Sequence, residues 1–232
     1  MAGMVLVESK FSRIATARIL GESERLLLRK LTHDDREEFL ECTQKSRELH
    51  RPWLYTPQTK VEFADYIGRF DGTHAVALLI CHKESREIAG FFTINEIIRG
   101  PYQRASVGYG VFTPNERQGY MKEGFRLVVR FAFGKAGCGL RLHRLEADIQ
   151  SENQASERLA DRAGFKWEGE SSAYIYINKK WTDHERYAIT SERAIELELV
   201  KQDEVAYPPS LGESVASAGT HDPSNAEELV TA

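Results

Sequence analysis

The sequence predicts one α+β domain in which a central mixed sheet carries helices on both faces. Strand-like and helix-like patterns alternate between residues 25 and 190, as they do when helices cover a sheet. With 41% hydrophobic and 28% charged residues, the chain has an ordinary globular composition and enough apolar side chains for a sizeable core. No internal repeat divides this region, so a three-layer α/β arrangement is the predicted architecture.

The first half of the region mixes short helices with apolar strands. Residues 25–31 predict a strand, since Leu is repeated between two basic residues. Residues 32–49 predict a helix because Thr32 is suited to cap its first turn and two acids follow directly. The remaining elements of this half are a shorter helix at 58–70 and strands at 74–83, 87–100 and 104–112.

The second half begins with the strongest helical pattern of the chain. Residues 119–137 carry apolar side chains at spacings of three and four, namely Met121, Phe125, Val128, Phe131 and Ala132. A second helix is predicted at 153–164, where Asn153 is a suitable cap and Gly164 a suitable stop. The remaining predicted strands span 142–149, 165–170, 173–178 and 185–190.

The stretch PNERQGYMKEG, residues 114–124, has a chemical implication of its own. A helix that begins at Gly119 presents N–H groups without helical partners and the positive end of its dipole, which together suit a phosphate. Gly124 lies inside the helix and costs about 1 kcal/mol relative to alanine, so close packing against the sheet or a cofactor should offset it. The same residues also fit a simple turn at Gly119 and a tolerated weak point at Gly124.

Composition and spacing exclude several classes of site. The three cysteines are far apart, which fits neither a disulfide framework nor a Cys-x-x-Cys metal site, and His143 and His184 lack a second ligand at metal spacing. Residues 1–200 hold 30 basic and 29 acidic side chains, so there is no electrostatic case for nucleic acid. The apolar run AVALLIC at 75–81 is too short to cross a bilayer. We therefore expect no metal, no nucleic acid and no membrane span.

The two ends differ from the middle of the chain. Residues 1–22 form an N-terminal extension whose pattern leaves a strand and a helix equally open. Residues 201–232 contain one basic and six acidic residues and few large apolar ones, so they predict a disordered acidic tail. The predicted globular domain is therefore residues 23–200.

Three segments taken together resemble the GCN5-related N-acetyltransferases (GNAT), and among them the RimJ/RimL type that acetylates protein N-termini. They are VGYGVFTPNERQGYMKEGF, LRLHRLEADIQSENQASERLADRAGFKWEGE and NKKWTDHERYAIT, and the resemblance extends from about Glu24 to Thr190. It implies a bent, mostly antiparallel mixed sheet that splays between its fourth and fifth strands. It also implies acetyl-CoA in the gap.

The resemblance assigns residues to the cofactor. The fourth strand would offer backbone groups to the pantetheine arm, and the loop before residue 120 would hold the pyrophosphate. Glu116 and Met121 depart from the usual residues of that loop, so we expect Arg117 to supply the basic side chain and Glu116 to face solvent. The residues expected to contact acetyl-CoA are Val111, Phe112, Thr113, Arg117, Gln118, Gly119, Tyr120, Met121, Asn153 and Ser156.

Acetyl transfer needs a neutral amine, donors for the developing oxyanion and a proton for the departing thiolate. Glu96 is our candidate base, acting through water, although a solvent-facing strand glutamate fits the same residue. Similarity to the family assigns Ser156 to a hydrogen bond with the leaving sulfur. Asn153 contacts the cofactor on this view, or is simply a helix cap.

Aromatic residues are candidates for the acceptor entrance. Trp53 and Tyr55 lie between the two early helices, where the family lines this entrance, and Tyr174 with Tyr176 would form the opposite wall. Aromatic residues are equally natural in a core.

The sequence thus predicts an enzyme that moves acetyl from acetyl-CoA to a protein or peptide α-amine by direct transfer in a ternary complex. An α-amine has a pKa of about 7.7 to 8.0 and lysine about 10.4, so neutralising an α-amine at pH 7 costs far less free energy. An acetyltransferase of a small amine and a catalytically silent acyl-CoA-binding module are the alternatives. We expect a monomer or homodimer in the cytoplasm.

Overall fold

The computed structural model describes residues 18–206, and these form one eight-stranded sheet between two layers of helices. The strands are β1 (Ile19–Glu22), β2 (Leu26–Lys30), β3 (Val76–His82), β4 (Ile88–Ile98), β5 (Arg104–Val111), β6 (Arg144–Gln150), β7 (Lys166–Ile177) and β8 (Lys180–Thr190). Their order is β1-β2-β3-β4-β5-β6-β8-β7, and every neighbouring pair is antiparallel except β5 and β6. The predicted mixed, mostly antiparallel sheet is confirmed.

The α-helices of the described residues are α1 (Arg36–Lys45), α2 (Arg47–His50), α3 (Lys60–Gly68), α4 (Tyr120–Phe133), α5 (Gln154–Ala163) and α6 (Ser191–Glu196). Five of these six helices lie where the sequence predicted helices, with the helix expected at 32–49 divided into α1 and α2, whereas α6 was not predicted. A 3-10 turn precedes α1, and Thr32 stands at its start as predicted. There the buried Asp35 carboxylate accepts hydrogen bonds from the Thr32 N–H at 2.8 Å and from both terminal nitrogens of Arg29 at 2.8 Å.

The sheet separates two apolar cores because its central strands are buried on both faces. β3 reads VALLICH, and successive side chains on a strand point to opposite faces. Leu78 and Ile80 belong to the larger core, which includes the apolar face of α4. Leu79 and Cys81 belong to the smaller core, which includes α1 and α3.

The parallel pair β5 and β6 is joined along only part of its length. Pairing covers Arg104 with Arg144, Ala105 with Leu145, and Ser106 with Glu146. Beyond these pairs, residues 107–111 stay on β4, whereas residues 147–150 pair with β8. The sheet therefore opens between β5 and β6, which are the fourth and fifth strands when β2 is counted first, as the resemblance implied.

Three further details of the strands and the chain ends differ from the sequence prediction. The strands expected at 165–170 and 173–178 are one strand, β7, whose pairing with β8 shifts register twice. β1 lies inside the segment that the pattern left open between strand and helix. Residues 201–206, expected in the tail, pack on the end of α4, where Val205 is 2% exposed and the Ala206 N–H donates to the Phe133 carbonyl. The predictions for residues 1–17 and 207–232 concern segments outside the described residues.

The close packing of α4 on the sheet explains Gly124. A Cβ atom at this position would lie 3.0 Å from Cε2 of Phe92 and 3.1 Å from Cγ2 of Ile80. These distances are shorter than ordinary van der Waals contacts, so a larger side chain would push the helix away from β3 and β4. The helix propensity lost at Gly124 is thus offset by a closer fit between helix and sheet.

Gly124→Val is therefore expected to lower the free energy of unfolding by about 2 kcal/mol through overpacking. Gly68→Ala is the matched control, since it also changes a helical glycine but has no heavy atom within 4 Å of the added Cβ. Its expected effect is neutral, or stabilising by up to about 1 kcal/mol. Urea unfolding of both variants measures the difference, and equal effects would contradict the packing explanation.

Candidate active site

The opening between β5 and β6 forms a cleft of about 270 Å³. Its walls come from α2 and the loop after it, residues 107–111 of β5, the end of β6 and the first turn of α5. Met121, near the start of α4, closes one side. Crevices at the point where a sheet opens are common ligand sites, because backbone groups and helix starts converge there.

The start of α4 retains the features of an anion site. Gly119 has φ of 80°, a left-handed conformation that favours glycine, and it is the N-cap of the helix. The N–H groups of Gln118, Gly119, Tyr120 and Met121 donate to no atom among the described residues. These unpaired donors and the positive helix end fit the negative charge of a pyrophosphate.

Arg25 lies beside this turn, and the sequence reasoning missed it. Its Nη1 donates to the Gln118 carbonyl at 3.2 Å, and its guanidinium lies 4.6 Å from the centre of the Tyr120 ring. Arg25 also pairs with Glu123, and this pairing holds the pKa of Arg25 above its ordinary value. The arginine thereby neutralises a carboxylate in the first turn of α4.

The predicted cofactor residues on β5 and the following loop are not all available. Val111 and Met121 line the cleft, but Phe112 is fully buried and its N–H donates to the Ala89 carbonyl. The Thr113 N–H donates to Ser46 Oγ at 3.0 Å. The N–H groups of Phe112 and Thr113 are therefore not free, because the chain leaves β5 after Val111 and turns into the smaller core. Their contact with acetyl-CoA stays a prediction.

Two charged residues of the same loop differ in exposure. Glu116 is half-buried and accepts a hydrogen bond from Thr113 Oγ1 at 2.6 Å, so the expectation that it faces solvent is wrong. Arg117 is exposed and has φ of 61°. Its proposed contact with a phosphate stays a prediction.

His50, the last residue of α2, holds the end of β5 in place. Its Nε2 lies 2.8 Å from the Val111 carbonyl, and the ring contacts Phe112 in the smaller core. Burial lowers the pKa of His50, which favours the neutral ring with Nε2 as donor. The buried Nδ1 has no hydrogen-bond partner among the described residues. A lone histidine at the end of a short helix gave no sequence signal for this contact.

The first turn of α5 brings two predicted residues to the cleft. Asn153 and Ser156 both line it, and the Asn153 side chain accepts from the Ser156 N–H at 3.2 Å, which confirms the cap. Tyr109 of β5 donates its hydroxyl to the Ser156 carbonyl at 3.2 Å. Burial raises the pKa of Tyr109, so this hydroxyl stays protonated at neutral pH.

Asp148 is a cleft residue that the sequence analysis did not select. The segment LEADIQ alternates apolar and polar residues, so Glu146, Asp148 and Gln150 share one face of β6. Asp148 is 12% exposed, and its Oδ1 lies 2.5 Å from Nε of Arg186 on β8. Burial raises the pKa of Asp148, and the adjacent Arg186 only partly opposes that effect.

The candidate base Glu96 lies elsewhere. It is exposed, with φ of 51°, at an irregularity where the pairing of β4 with β5 shifts between Asn95 and Ile98. Glu96 does not line the cleft. The strand irregularity, which the sequence did not reveal, turns it away from the opening.

The four aromatic residues predicted at the acceptor entrance do not lie together. Trp53 lines the cleft, and its carbonyl accepts from Gln150 Nε2 at 3.1 Å across the opening. Tyr55 is 76% exposed and bonds to Glu62, whereas Tyr174 stacks on Arg186 at 4.4 Å. Tyr176 pairs with Trp181 near the tip of the β7–β8 hairpin. Of these four aromatic residues, only Trp53 borders the cleft.

Residues 18–206 contain no cluster of three or more His, Cys, Asp or Glu residues able to hold a metal ion. None of their helices has the length and apolar character needed to span a membrane.

Comparison with known proteins identifies relatives of this chain. The family model described as an acetyltransferase (GNAT) domain matches residues 25–166. The probable N-acetyltransferase YjcK of Bacillus subtilis is 38% identical over 102 residues, which cover 44% of this chain and 54% of YjcK. The [ribosomal protein uS5]-alanine N-acetyltransferase of Escherichia coli is 27% identical over 128 residues, covering 55% of this chain and 58% of that enzyme. The chain thus aligns with little more than half of either relative.

A solved structure agrees with the fold described above. The ribosomal-protein-S5-alanine acetyltransferase of Vibrio fischeri has a TM-score of 0.64 at 23% identity, covering 74% of this chain and 96% of that one. At this identity the comparison supports the fold alone.

The raised pKa of Asp148 has a consequence for stability. Since the folded-state pKa lies above the unfolded value near 3.9, ionising Asp148 costs folding free energy above the folded pKa, and the cost vanishes below the unfolded value. Asp148→Asn is therefore expected to raise the melting temperature at pH 7, and the gain should shrink as pH falls towards 4. Thermal melts between pH 4 and pH 8 measure it, with the exposed Asp161→Asn as control. A lower melting temperature at pH 7 would show that the Arg186 contact outweighs burial.

Proposed function

Because the chain belongs to the GNAT family of acetyltransferases, we propose that it transfers acetyl from acetyl-CoA to the N-terminal α-amine of a protein or peptide. Acetyl-CoA-dependent acyl transfer is the activity of this family, and it is the activity of the domain. The acceptor is the part of the proposal that needs its own support.

One observation carries the proposal: the three-residue pairing of β5 and β6 opens a cleft beside the unpaired N–H groups that begin α4. Residues 107–111 of β5 border the cleft and suit an extended pantetheine arm. The amides of Gln118 to Met121 suit the pyrophosphate. Charge-assisted hydrogen bonds contribute roughly 1.5 to 3 kcal/mol each, so a few such bonds suffice to hold the nucleotide.

The acetyl end of the cofactor would then lie near the first turn of α5. Ser156 is suited to donate a hydrogen bond to the sulfur that departs, and the Asn153 cap orients this turn. Tyr109 bonds to the Ser156 carbonyl and so fixes the same turn against β5. The Ser156 hydroxyl would thereby be a hydrogen-bond donor held beside the carbon–sulfur bond that breaks, where negative charge develops on the sulfur.

Two considerations support an α-amine as the acceptor: the pKa of the amine and the name of one relative. An α-amine with a pKa of about 7.7 to 8.0 is partly neutral at pH 7, whereas a lysine loses its proton at a cost of about 4.6 kcal/mol. Among the described residues that line the cleft, three have titratable side chains, namely His50, Tyr109 and Asp148. The cleft therefore has few groups that could take a proton from lysine. The uS5-alanine N-acetyltransferase relative acts on an N-terminal alanine by its name, and this favours the α-amine here.

An acceptor panel tests the proposal. Release of free CoA thiol is measured with acetyl-CoA and peptides that have a free N-terminus, the same peptides with a blocked N-terminus and an internal lysine, and small amines such as spermidine. We expect turnover with the free N-terminus and at least tenfold less with the others. Turnover on small amines alone would overturn the peptide acceptor, and acetyl-CoA binding without any turnover would indicate a silent binding module.

The pyrophosphate assignment has a separate test. Gly119→Asp adds a carboxylate beside the start of α4 and is expected to weaken acetyl-CoA binding at least tenfold, through repulsion and lost amide contacts. Gly100→Asp is the matched control, because Gly100 also has positive φ, of 66°, and no neighbour within 4 Å of an added Cβ. Calorimetry with acetyl-CoA compares the two, and equal affinities would count against the assignment.

A further inference from the structure

Asp148 is the only carboxylate among the described residues that line the cleft. β6 holds it in the middle of the sheet, between the partly detached β5 and the fully paired β8. A side chain on a paired central strand has little freedom to move, so its carboxylate has a fixed position at the opening.

The two oxygens of Asp148 have different surroundings. Oδ1 is buried and lies 2.5 Å from Nε of Arg186, a contact without the angle of a hydrogen bond. Asp148 lines the cleft and Arg186 contacts Oδ1, which leaves Oδ2 as the oxygen able to receive a ligand from the cleft. One oxygen therefore holds the carboxylate in place and the other is available to a ligand.

The other side chains that could accept a proton from a ligand in the cleft are buried, already paired or distant. His50 holds the Val111 carbonyl through Nε2 and its other nitrogen, Nδ1, is buried, whereas Glu96 lies outside the cleft. Glu146, two residues before Asp148, is 6% exposed and is paired with Arg104 and Arg144. Its charge is thus already compensated within the sheet.

We propose that Asp148 binds the ammonium group of the acceptor through Oδ2 and takes its proton, making it a catalytic residue of this acetyltransferase. The proposal rests on the proposed function, which it deepens by naming the group that receives the acceptor. The ligand it requires is a primary amine that is protonated in solution, such as a peptide N-terminus.

The proton and bond changes balance. One proton moves from the ammonium nitrogen to Asp148 Oδ2, and the neutral nitrogen forms a bond to the acetyl carbon as the carbon–sulfur bond breaks. A second proton leaves the same nitrogen and ends on the departing sulfur, with the Ser156 hydroxyl suited to relay it. The products are an acetylated amine and a free thiol, and Asp148 then returns its proton to water.

The charges around Asp148 determine how its proton affinity responds to pH. Arg186 and His184 face it from β8, Glu146 faces it from its own strand, and His50 and Tyr109 line the cleft from α2 and β5. Burial raises its pKa, which brings the carboxylate closer in proton affinity to the amine it serves.

The test compares pH profiles of kcat/KM for wild type and Asp148→Asn with one free-N-terminus peptide. At pH 7 the acceptor is mostly an ammonium, and we expect the variant to be about 100-fold slower, within the usual range for loss of a general base. At pH 9 the amine is neutral before it binds, so the deficit should shrink to less than tenfold. A purely structural role would reduce the rate by the same factor at both pH values.

Controls separate this role from folding and from cofactor binding. Asp161→Asn removes an exposed carboxylate of α5 outside the cleft lining and should follow the wild-type profile. Acetyl-CoA affinity should be unchanged in Asp148→Asn. If that variant does not fold, Asp148→Glu supplies the comparison: it keeps a carboxylate but moves it, so kcat/KM should fall while the dependence on pH keeps the wild-type shape, and a deficit that shrinks at pH 9 would contradict the role.

The possible failures are distinguishable. Equal kcat/KM values for wild type and Asp148→Asn at every pH, or a deficit that is constant with pH, would overturn the role of Asp148 and leave the proposed function intact. Failure of the wild type to acetylate any peptide at any pH would overturn the proposed function itself.

Discussion

The short parallel contact between β5 and β6 is the constraint on which the rest of the molecule depends. A parallel pair needs a crossover, and here α4 provides it, so the start of that helix necessarily lies near the end of β5. Because β6 then continues with β8 instead of β5, the sheet opens beside the helix start. A strand ladder that continued to Val111 would close the cleft and leave the amides of Gln118 to Met121 without a ligand to face.

The two sides of this opening differ in chemistry. The side towards α4 and α5 offers hydrogen-bond donors, namely backbone N–H groups and the Ser156 hydroxyl, which suit phosphate and thiolate. The other side, towards β6, offers a carboxylate, which suits a cation. On the proposed function, an anionic nucleotide and a cationic amine would bind to opposite walls of one cleft, with their reactive ends between them.

Sequence patterns predicted the fold and the local elements of the site, because these depend on residues close together in the chain. Asn153 and Gly164 bound α5 through short-range hydrogen bonds, and Gly119 precedes α4 for a comparable reason. Contacts between distant residues escaped prediction. Arg25 pairs with Glu123, 98 positions later in the chain, and Asp148 contacts Arg186 on the neighbouring strand β8. The positions of Glu96 and Phe112 were not predictable because a strand irregularity and the exit from β5 decide which way they point, and neither has a local sequence signal.

The close packing of Gly124 links the start of α4 to the interior of the protein. Gly124 lies little more than one turn after Gly119, so the depth at which α4 rests on Ile80 and Phe92 also sets the position of the amides at its start. Enlarging either apolar side chain would tilt or lift those amides without touching any ligand. On the proposed function, a substitution in this part of the core would therefore change cofactor affinity as well as stability.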